Sequence, residues 1–266
     1  MTEIQALILG VVQGLTEFLP VSSSGHLLLF EKLFNVHTES MLTLNILLHV
    51  GTLLAIFVVY WERIWNMICH PIQSELKWLV VATIPAVAAA LLVDFDSAFE
   101  GNFIGISYML TTLILIFAQY ISKARKEARS LHRNVRWYDA LGMGIMQAVA
   151  ILPGVSRSGS TIAAGVTTGL SRKRAADFSF LMSIPAILGS AVLDLKDLVL
   201  GEAPSISIGL MPTLIGMTAA AISGFLAIKF MLVVIRKISL NWFALYTFLL
   251  GAFLLINRYV VQILPL

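Results

Sequence analysis

The chain contains six apolar stretches, each near the roughly 20 residues that an α-helix needs to cross a bilayer. They lie at 42–60, 78–94, 103–121, 178–195, 211–235 and 242–262. Apolar residues make up 58% of the sequence and charged residues only 12%, about half the roughly 25% that is typical of soluble domains. The sequence therefore predicts an all-α polytopic membrane protein with about six transmembrane helices.

Two shorter apolar tracts, 6–19 and 140–152, each run into a polar segment rich in proline, glycine and serine. The first is followed by PVSSSGH at 20–26, and the second by PGVSRSGST at 153–161. Irregular backbone at membrane depth is stable only where protein or a water-filled cavity satisfies its polar groups. We therefore expect two re-entrant helical hairpins in addition to the six spans.

The charges of the connecting loops predict the orientation of the chain. Lys and Arg concentrate in three loops, at 121–138, 171–177 and 236–237. The positive-inside rule places these loops in the cytoplasm. The acidic loops 94–101 and 194–203 are then expected outside, whereas the loop 61–77 has balanced charges and indicates neither side. A multi-pass protein of the cell membrane is the predicted class.

Other features exclude several classes of function. The net charge is only +3 and the basic residues lie in short loops, so nucleic acid is not an expected partner. The single cysteine, Cys69, excludes an intrachain disulfide and a multi-cysteine metal site. The N-terminal MTEIQ has no basic segment, so we expect no cleaved signal peptide.

The chain resembles itself at an offset of 134 residues. Residues 6–27 and 140–161 align without gaps and share eight identities, including Gly, Gln and Ser positions. Three predicted spans separate the copies, so the two copies must enter the membrane from opposite faces. The sequence therefore predicts a single domain, 1–266, built of two inverted repeats of roughly 1–134 and 135–266, whose broken helices meet near the midplane.

The two copies differ where chemistry requires different groups. Glu17 aligns with Ile151, Ser23 with Arg157, and His26 with Ser160. Ionisable residues at membrane depth are costly and usually functional, so Glu17 and Arg157 are candidate site residues. The alternative is that these two residues form a purely structural ion pair.

The remaining polar residues of the two segments suggest an anion site. Helix N-termini bind anions through free N–H groups, and the arginine fork suits phosphate oxygens. The candidate phosphate-binding residues are Ser22, Ser24, Gly25, Gly154, Ser156, Ser158 and Thr161. Small hydroxyl residues also pack and cap transmembrane helices, and that is the alternative for each serine and threonine. Asn45 and His49 are interpreted as hydrogen-bonding groups between helices.

These segments resemble the signatures of a known family. GVVQGLTEFLPVSSSGH at 10–26 is similar to (E/Q)xxxE followed by PVSSxGH, and LPGVSRSGST at 152–161 is similar to PGxSRSxxT. The segment 172–190 is also like that family, the undecaprenyl-diphosphatases or bacitracin-resistance proteins. The resemblance covers nearly the whole chain.

The resemblance implies hydrolysis of undecaprenyl diphosphate to undecaprenyl phosphate and inorganic phosphate, which recycles the lipid carrier of cell-wall synthesis. It further implies a divalent cation, Mg²⁺ or Ca²⁺, a homodimer, bacitracin resistance, and a site open to the extracytoplasmic side. Carried over by position, the catalytic residues are Glu17, Ser23, His26 and Arg157. Glu17 would bind the metal together with Gln13, although some members have Glu at position 13.

Two mechanisms and one competing function are compatible with the residues. Ser23 could attack phosphorus with His26 assisting proton transfer, or a water activated by the metal or by Glu17 could attack directly. Inverted repeats with broken helices are also typical of transporters. A transporter or flippase for a polyprenyl phosphate or another anion is therefore the alternative to the phosphatase.

Overall fold

The computed structural model describes residues 1–34, 36, 38–93, 103–126, 133–200 and 209–262. In these residues the regular structure is helical throughout. The α-helices are α1 (Glu3–Phe18), α2 (Ser23–Phe34), α3 (Thr38–Cys69), α4 (Leu76–Leu92), α5 (Ile104–Lys126), α6 (Trp137–Val149), α7 (Arg157–Thr168), α8 (Arg172–Leu200), α9 (Leu210–Lys237) and α10 (Leu240–Ile256). A short π-helix, Asn257–Val261, continues from α10.

Six helices coincide with the six predicted spans. Five of them are long and apolar enough to cross a membrane, namely α3, α5, α8, α9 and α10. The sixth, α4, is an apolar helix of 17 residues, which at about 1.5 Å per residue is near 25 Å long. The predicted fold class, an all-α polytopic membrane protein, is confirmed.

The largest difference between a predicted boundary and the structure lies at the end of α3. The span predicted to end at residue 60 belongs to a helix that continues to Cys69. Tyr60 has non-helical angles, φ −110° and ψ 18°, inside that helix. The hydropathy signal ends near this kink, because Glu62 and Arg63 follow it, but the backbone resumes its helical path and carries those charges beyond the apolar core.

The two polar segments break helices in the predicted places. The tract 6–19 becomes α1 and the tract 140–152 becomes α6, of 16 and 13 residues. Each is followed, after a short break, by a helix of 12 residues. None of these four helices alone is long enough to cross the hydrocarbon core, which is roughly 30 Å thick. The two breaks touch, since Ser158 Oγ donates to the Leu19 carbonyl at 2.8 Å. The breaks thus meet inside the bundle.

The offset of 134 residues also relates the helix boundaries. The first residues of α1, α2, α3 and α4 each lie 134 residues before the first residues of α6, α7, α8 and α9. Two close backbone contacts are also related by this offset. Gly10 lies against Gly216, and the corresponding pair is Gly144 against Ala82. A side chain at either glycine would collide with the facing backbone. The division into two inverted repeats, 1–134 and 135–266, stays a prediction.

The described parts of the basic loops lie at one end of the bundle. Arg174, in the first turn of α8, bonds to Glu75 and to Asn134, and Arg63 near the end of α3 also bonds to Glu75. The loop 61–77, whose sequence indicates neither side, therefore lies with the basic loops. Of the acidic loops, 94–101 and the side chains of 194–203 lie outside the described residues.

We expect Glu75→Gln to destabilise the protein by about 1–3 kcal/mol, because it leaves two partly buried arginines without their shared carboxylate. Thermal unfolding in detergent measures the effect. Glu62→Gln, which removes an exposed carboxylate from the same region, serves as the control. An equal stability of the two variants would contradict a structural role for the Arg63–Glu75–Arg174 bridge.

Candidate active site

An ion pair joins the two helix breaks. Glu17 lies in the last turn of α1, which ends ahead of Pro20, and Arg157 is the first residue of α7. Arg157 Nη2 donates to Glu17 Oε1 at 2.8 Å, and Arg157 Nη1 donates to the Ser179 carbonyl at 3.2 Å. Glu17 is only 5% exposed, so its charge requires such a partner. The structure thus pairs the acid of the first segment with the cation of the second.

The second oxygen of Glu17 accepts bonds from two neighbours. Ser23, the first residue of α2, donates to Glu17 Oε2 through its hydroxyl at 2.6 Å. Gln13 lies one helical turn before Glu17, as their spacing of four residues predicts, and its Nε2 donates to the same oxygen at 3.0 Å. A hydroxyl, a carboxylate and a guanidinium therefore form one connected cluster.

Two of the predicted phosphate-binding serines act as helix caps. Ser156 Oγ accepts from the Gly159 N–H at 3.0 Å and caps α7, and Ser22 Oγ accepts from the Gly25 N–H at 3.3 Å. These hydroxyls therefore already bond to backbone N–H groups that the sequence analysis expected to bind phosphate. Ser22 adopts a left-handed backbone, with φ 70°, in the tight turn between the two helices.

The other predicted hydroxyls also have partners within the protein. Ser24 Oγ lies 3.4 Å from Ser22 Oγ, and Ser158 Oγ lies 3.4 Å from Ser156 Oγ. Thr161 Oγ1 donates to the Arg157 carbonyl at 2.8 Å and lies 2.6 Å from Ser179 Oγ. These contacts favour the packing and capping interpretation, and phosphate binding by these side chains stays a prediction.

Two glycines allow the breaks to pack closely. A Cβ atom at Gly25 would lie 2.6 Å from the Tyr108 hydroxyl. Gly154 has φ 90°, and a Cβ atom there would lie 2.8 Å from Ser107 Cβ and 2.9 Å from the Ile104 carbonyl oxygen. The close contacts thus support a structural role for Gly154, which allows the backbone to turn tightly before Arg157. Phosphate binding by Gly154 stays a prediction.

The hydrogen bonds of the His26 imidazole are made to residues outside the Glu17 cluster. Its Nδ1 lies 2.7 Å from the Ser22 carbonyl and 3.0 Å from the Tyr108 hydroxyl, and its Nε2 lies 2.7 Å from the Tyr246 hydroxyl. The rings of His26 and Tyr246 also stack, with centroids 5.7 Å apart. Of the four predicted catalytic residues, Glu17, Ser23 and Arg157 are brought together, and His26 is directed to α5 and α10.

Several participants of the site were not singled out from the sequence. Tyr108 and Tyr246 come from spans whose sequence offers no motif around them, and Ser179 lies in the family-like segment 172–190 but was not assigned a role there. His49, interpreted as a hydrogen-bonding group between helices, has its Nε2 3.8 Å from Glu17 Oε2. The only signal for these residues was a polar group inside an apolar span.

The implied divalent cation has oxygen ligands available in this cluster. Gln13 Oε1 is buried and has no hydrogen-bond partner among the described residues, and it lies on the amide that contacts Glu17. Carboxylate and amide oxygens are ligands that Mg²⁺ and Ca²⁺ accept. In the part of the chain that the structure covers, no three His, Cys, Asp or Glu side chains form a candidate metal cluster, so an amide would have to contribute.

The fold and the site together define a class of protein. It is a multi-pass α-helical membrane protein in which two broken helices bring a carboxylate, a hydroxyl and a guanidinium together within the bundle. Such a set suits a phosphate-bearing substrate, because arginine binds its oxygens and the carboxylate can accept a proton.

The sequence comparisons identify the family. Residues 6–253 match the family described as Bacitracin resistance protein BacA, and the chain belongs to that family. An undecaprenyl-diphosphatase of Carboxydothermus hydrogenoformans is 44% identical over 262 residues, covering 96% of this chain and 97% of that protein. Undecaprenyl-diphosphatases of Bacteroides fragilis and Halothermothrix orenii are 38% and 34% identical; the alignments cover 93% and 95% of this chain and 95% and 96% of those proteins, respectively.

We expect Gly154→Ala to destabilise the protein by about 2 kcal/mol or more, because a left-handed backbone and two close contacts both oppose a methyl group. Thermal unfolding in detergent measures the change. Gly189→Ala is the matched control, since nothing lies within 4 Å of the added methyl group, and this helical position should tolerate or favour alanine. If the Gly154→Ala protein were as stable as the control, the backbone between α6 and α7 would be able to accommodate the methyl group, and the predicted steric requirement for glycine would be wrong.

Proposed function

We propose that this protein hydrolyses undecaprenyl diphosphate to undecaprenyl phosphate and inorganic phosphate, and so returns the lipid carrier to cell-wall synthesis. The observation that carries the proposal is that Glu17 bonds to both Ser23 and Arg157. The relatives named undecaprenyl-diphosphatase, which align with nearly the whole chain, support the substrate. None of these observations favours the transporter alternative.

Arg157 is suited to bind the terminal phosphate. Its side chain is partly accessible, with 16% exposed, and Nη1 is already oriented by the Ser179 carbonyl. A phosphate that approaches this fork competes with Glu17 for Nη2. The exchange provides charge-assisted bonds to the substrate and removes a positive neighbour from Glu17, which makes that carboxylate a better proton acceptor.

Ser23 is the nucleophile that the contacts favour. Its oxygen attacks the terminal phosphorus, a Ser23 Oγ–P bond forms, and the bond from phosphorus to the bridging oxygen breaks, so that undecaprenyl phosphate leaves. The hydroxyl proton passes to Glu17 Oε2, which already accepts it at 2.6 Å. Glu17 passes this proton to the departing undecaprenyl phosphate. A water then attacks the phosphoserine phosphorus, the Ser23 Oγ–P bond breaks, and Glu17 takes a proton from the water and returns it to Ser23 Oγ as phosphate is released.

This mechanism changes the role expected for His26. The hydrogen bonds of its ring run to Ser22, Tyr108 and Tyr246, so the contacts support Glu17 rather than His26 as the proton acceptor for Ser23. The alternative in which Glu17 activates a water for direct attack uses the same carboxylate. Both versions place the essential base in the first polar segment.

The lipid tail has an apolar surface beside the site. A cavity of about 190 Å³ is lined by Phe103, Ile106, Ser107, Leu110, Leu152 and Pro153. Its wall includes the break that leads to Arg157, and its chemistry suits an isoprenoid chain. We infer that the prenyl groups nearest the diphosphate contact this surface.

Glu17 and Gln13 are the residues that would hold the divalent cation, Mg²⁺ or Ca²⁺. When bound, such an ion neutralises negative charge on the diphosphate.

The cell membrane, an extracytoplasmic opening and a homodimer complete the proposal. The position of Arg63, Arg174 and the described parts of the basic loops at one end supports a cytoplasmic position for that end. The homodimer is an expectation from the family resemblance.

Phosphate release from undecaprenyl diphosphate by the purified protein in detergent tests the proposed function. We expect turnover that depends on a divalent cation and stops with EDTA. Arg157→Ala and Glu17→Gln should each lower turnover at least about a hundredfold, because each removes a charge that acts on the transition state.

The control for these variants is Arg236→Ala, which removes an exposed arginine in the last turn of α9. Each variant should first elute as a folded, monodisperse protein. Absence of phosphate release from the native chain would refute the hydrolase, whereas near-native rates in a folded Arg157→Ala protein would remove Arg157 from the site.

A phosphorylated Ser23 should accumulate in rapidly quenched reactions, and peptide mass spectrometry can locate it. Ser23→Ala should lose both the phosphopeptide and at least about 99% of the turnover, because the covalent route is then closed. Ser190→Ala removes an exposed serine of α8 and should leave both unchanged. An active Ser23→Ala protein would instead select direct attack by water.

A further inference from the structure

His49 directs its Nε2 toward the site. It lies on α3, and its Nδ1 is 2.7 Å from the Asn45 carbonyl oxygen. A carbonyl can only accept a hydrogen bond, so Nδ1 must carry the proton. In the neutral ring, Nε2 therefore presents a lone pair, and it does so 3.8 Å from Glu17 Oε2. Two acceptors that face each other require either a proton or a cation between them.

Gln13 adds a further buried acceptor beside Glu17. Its amide contacts Glu17 Oε2 through Nε2 at 3.0 Å, whereas its Oε1 is fully buried and has no partner in the described part of the chain. A buried acceptor without a partner is destabilising by about 1–3 kcal/mol. Protonation of His49 would satisfy Glu17 but would leave Gln13 Oε1 unpaired, whereas a cation with room for three ligands would satisfy all of them.

The arrangement around His49 is typical of a metal-binding imidazole. Histidine ligands usually donate their other ring N–H to a backbone carbonyl or a carboxylate, which fixes the ring. Here the Asn45 carbonyl fixes Nδ1, and the Asn45 side chain is itself held by Glu31 Oε1 at 3.0 Å. Ligands bound at about 2.1 Å to one ion lie roughly 3.0–4.2 Å apart, and the 3.8 Å between His49 Nε2 and Glu17 Oε2 fits that range.

We propose that His49 Nε2 is a ligand of the divalent cation, together with Glu17 Oε2 and Gln13 Oε1, so that the site accepts transition ions such as Mn²⁺ as well as Mg²⁺ and Ca²⁺. An imidazole nitrogen suits first-row transition ions, whereas Mg²⁺ and Ca²⁺ select oxygen. The inference deepens the proposed function, since it names the metal chemistry at the Glu17 cluster. It adds a ligand that the two polar segments do not contain.

Electron spin-echo spectroscopy of Mn²⁺ bound to the purified protein, without substrate, tests the inference. We expect ¹⁴N modulation from a directly bound imidazole, which is replaced by a ¹⁵N pattern when histidine is ¹⁵N-labelled. His49→Gln should remove the nitrogen modulation and weaken Mn²⁺ binding at least about tenfold, an effect of the size found when metal-site groups are lost. Gln13→Ala should weaken binding but retain the modulation.

His70→Gln is the matched control, because His70 is exposed just beyond the end of α3 and should change neither signal. No Mn²⁺ binding, binding without nitrogen modulation, or modulation that persists in His49→Gln would each overturn the inference. The labelled native protein gives an answer even where a variant does not fold. A protein that releases phosphate without nitrogen coupling refutes the ligand alone, whereas one with nitrogen coupling and no phosphate release refutes the hydrolase alone.

Discussion

The ion pair between Glu17 and Arg157 is the interaction on which the rest of the site depends. It joins the end of α1 to the start of α7, at the point where two interrupted helices meet inside the bundle. A single buried charge in such surroundings would be costly by several kcal/mol, but two opposite charges with additional hydrogen bonds can be accommodated. Each broken helix therefore makes the charge of the other tolerable, and the polar interior needs both copies of the motif.

The same ion pair explains how the buried charged groups of the site can be stable before substrate binds. Before a substrate enters, Arg157 and Ser23 satisfy the two oxygens of Glu17, while Ser22 and Ser156 cap the helices behind them. A phosphate replaces the carboxylate as the partner of the arginine, so charge is exchanged rather than newly buried. The capping serines remain in place during this exchange, and the geometry of the helix ends is preserved.

Much of this architecture is predictable from sequence because the bilayer restricts the choices. Long apolar stretches had to be spans, and Pro20 and the Pro153–Gly154 pair had to interrupt helices. The meeting of Glu17 with Arg157 follows from the cost of isolated charge. The orientation of His26 did not follow, because its partners Tyr108 and Tyr246 are 82 and 220 residues away and belong to ordinary apolar spans. The continuation of α3 beyond Tyr60 was missed because hydropathy records the bilayer boundary and not the end of a helix.

The difference between the two copies explains why one site forms and not two. Gln147 occupies the position of Gln13 and is also buried, but both polar atoms of its amide lack partners among the described residues. The position that corresponds to Glu17 holds Ile151, so the second copy has no carboxylate to accept a proton or attract a cation. A second carboxylate at that depth would need its own counter-charge, and the position of Arg157 corresponds to the neutral Ser23. The absence of the acid from one copy and the presence of the arginine there are thus complementary differences that direct the charge chemistry to a single centre.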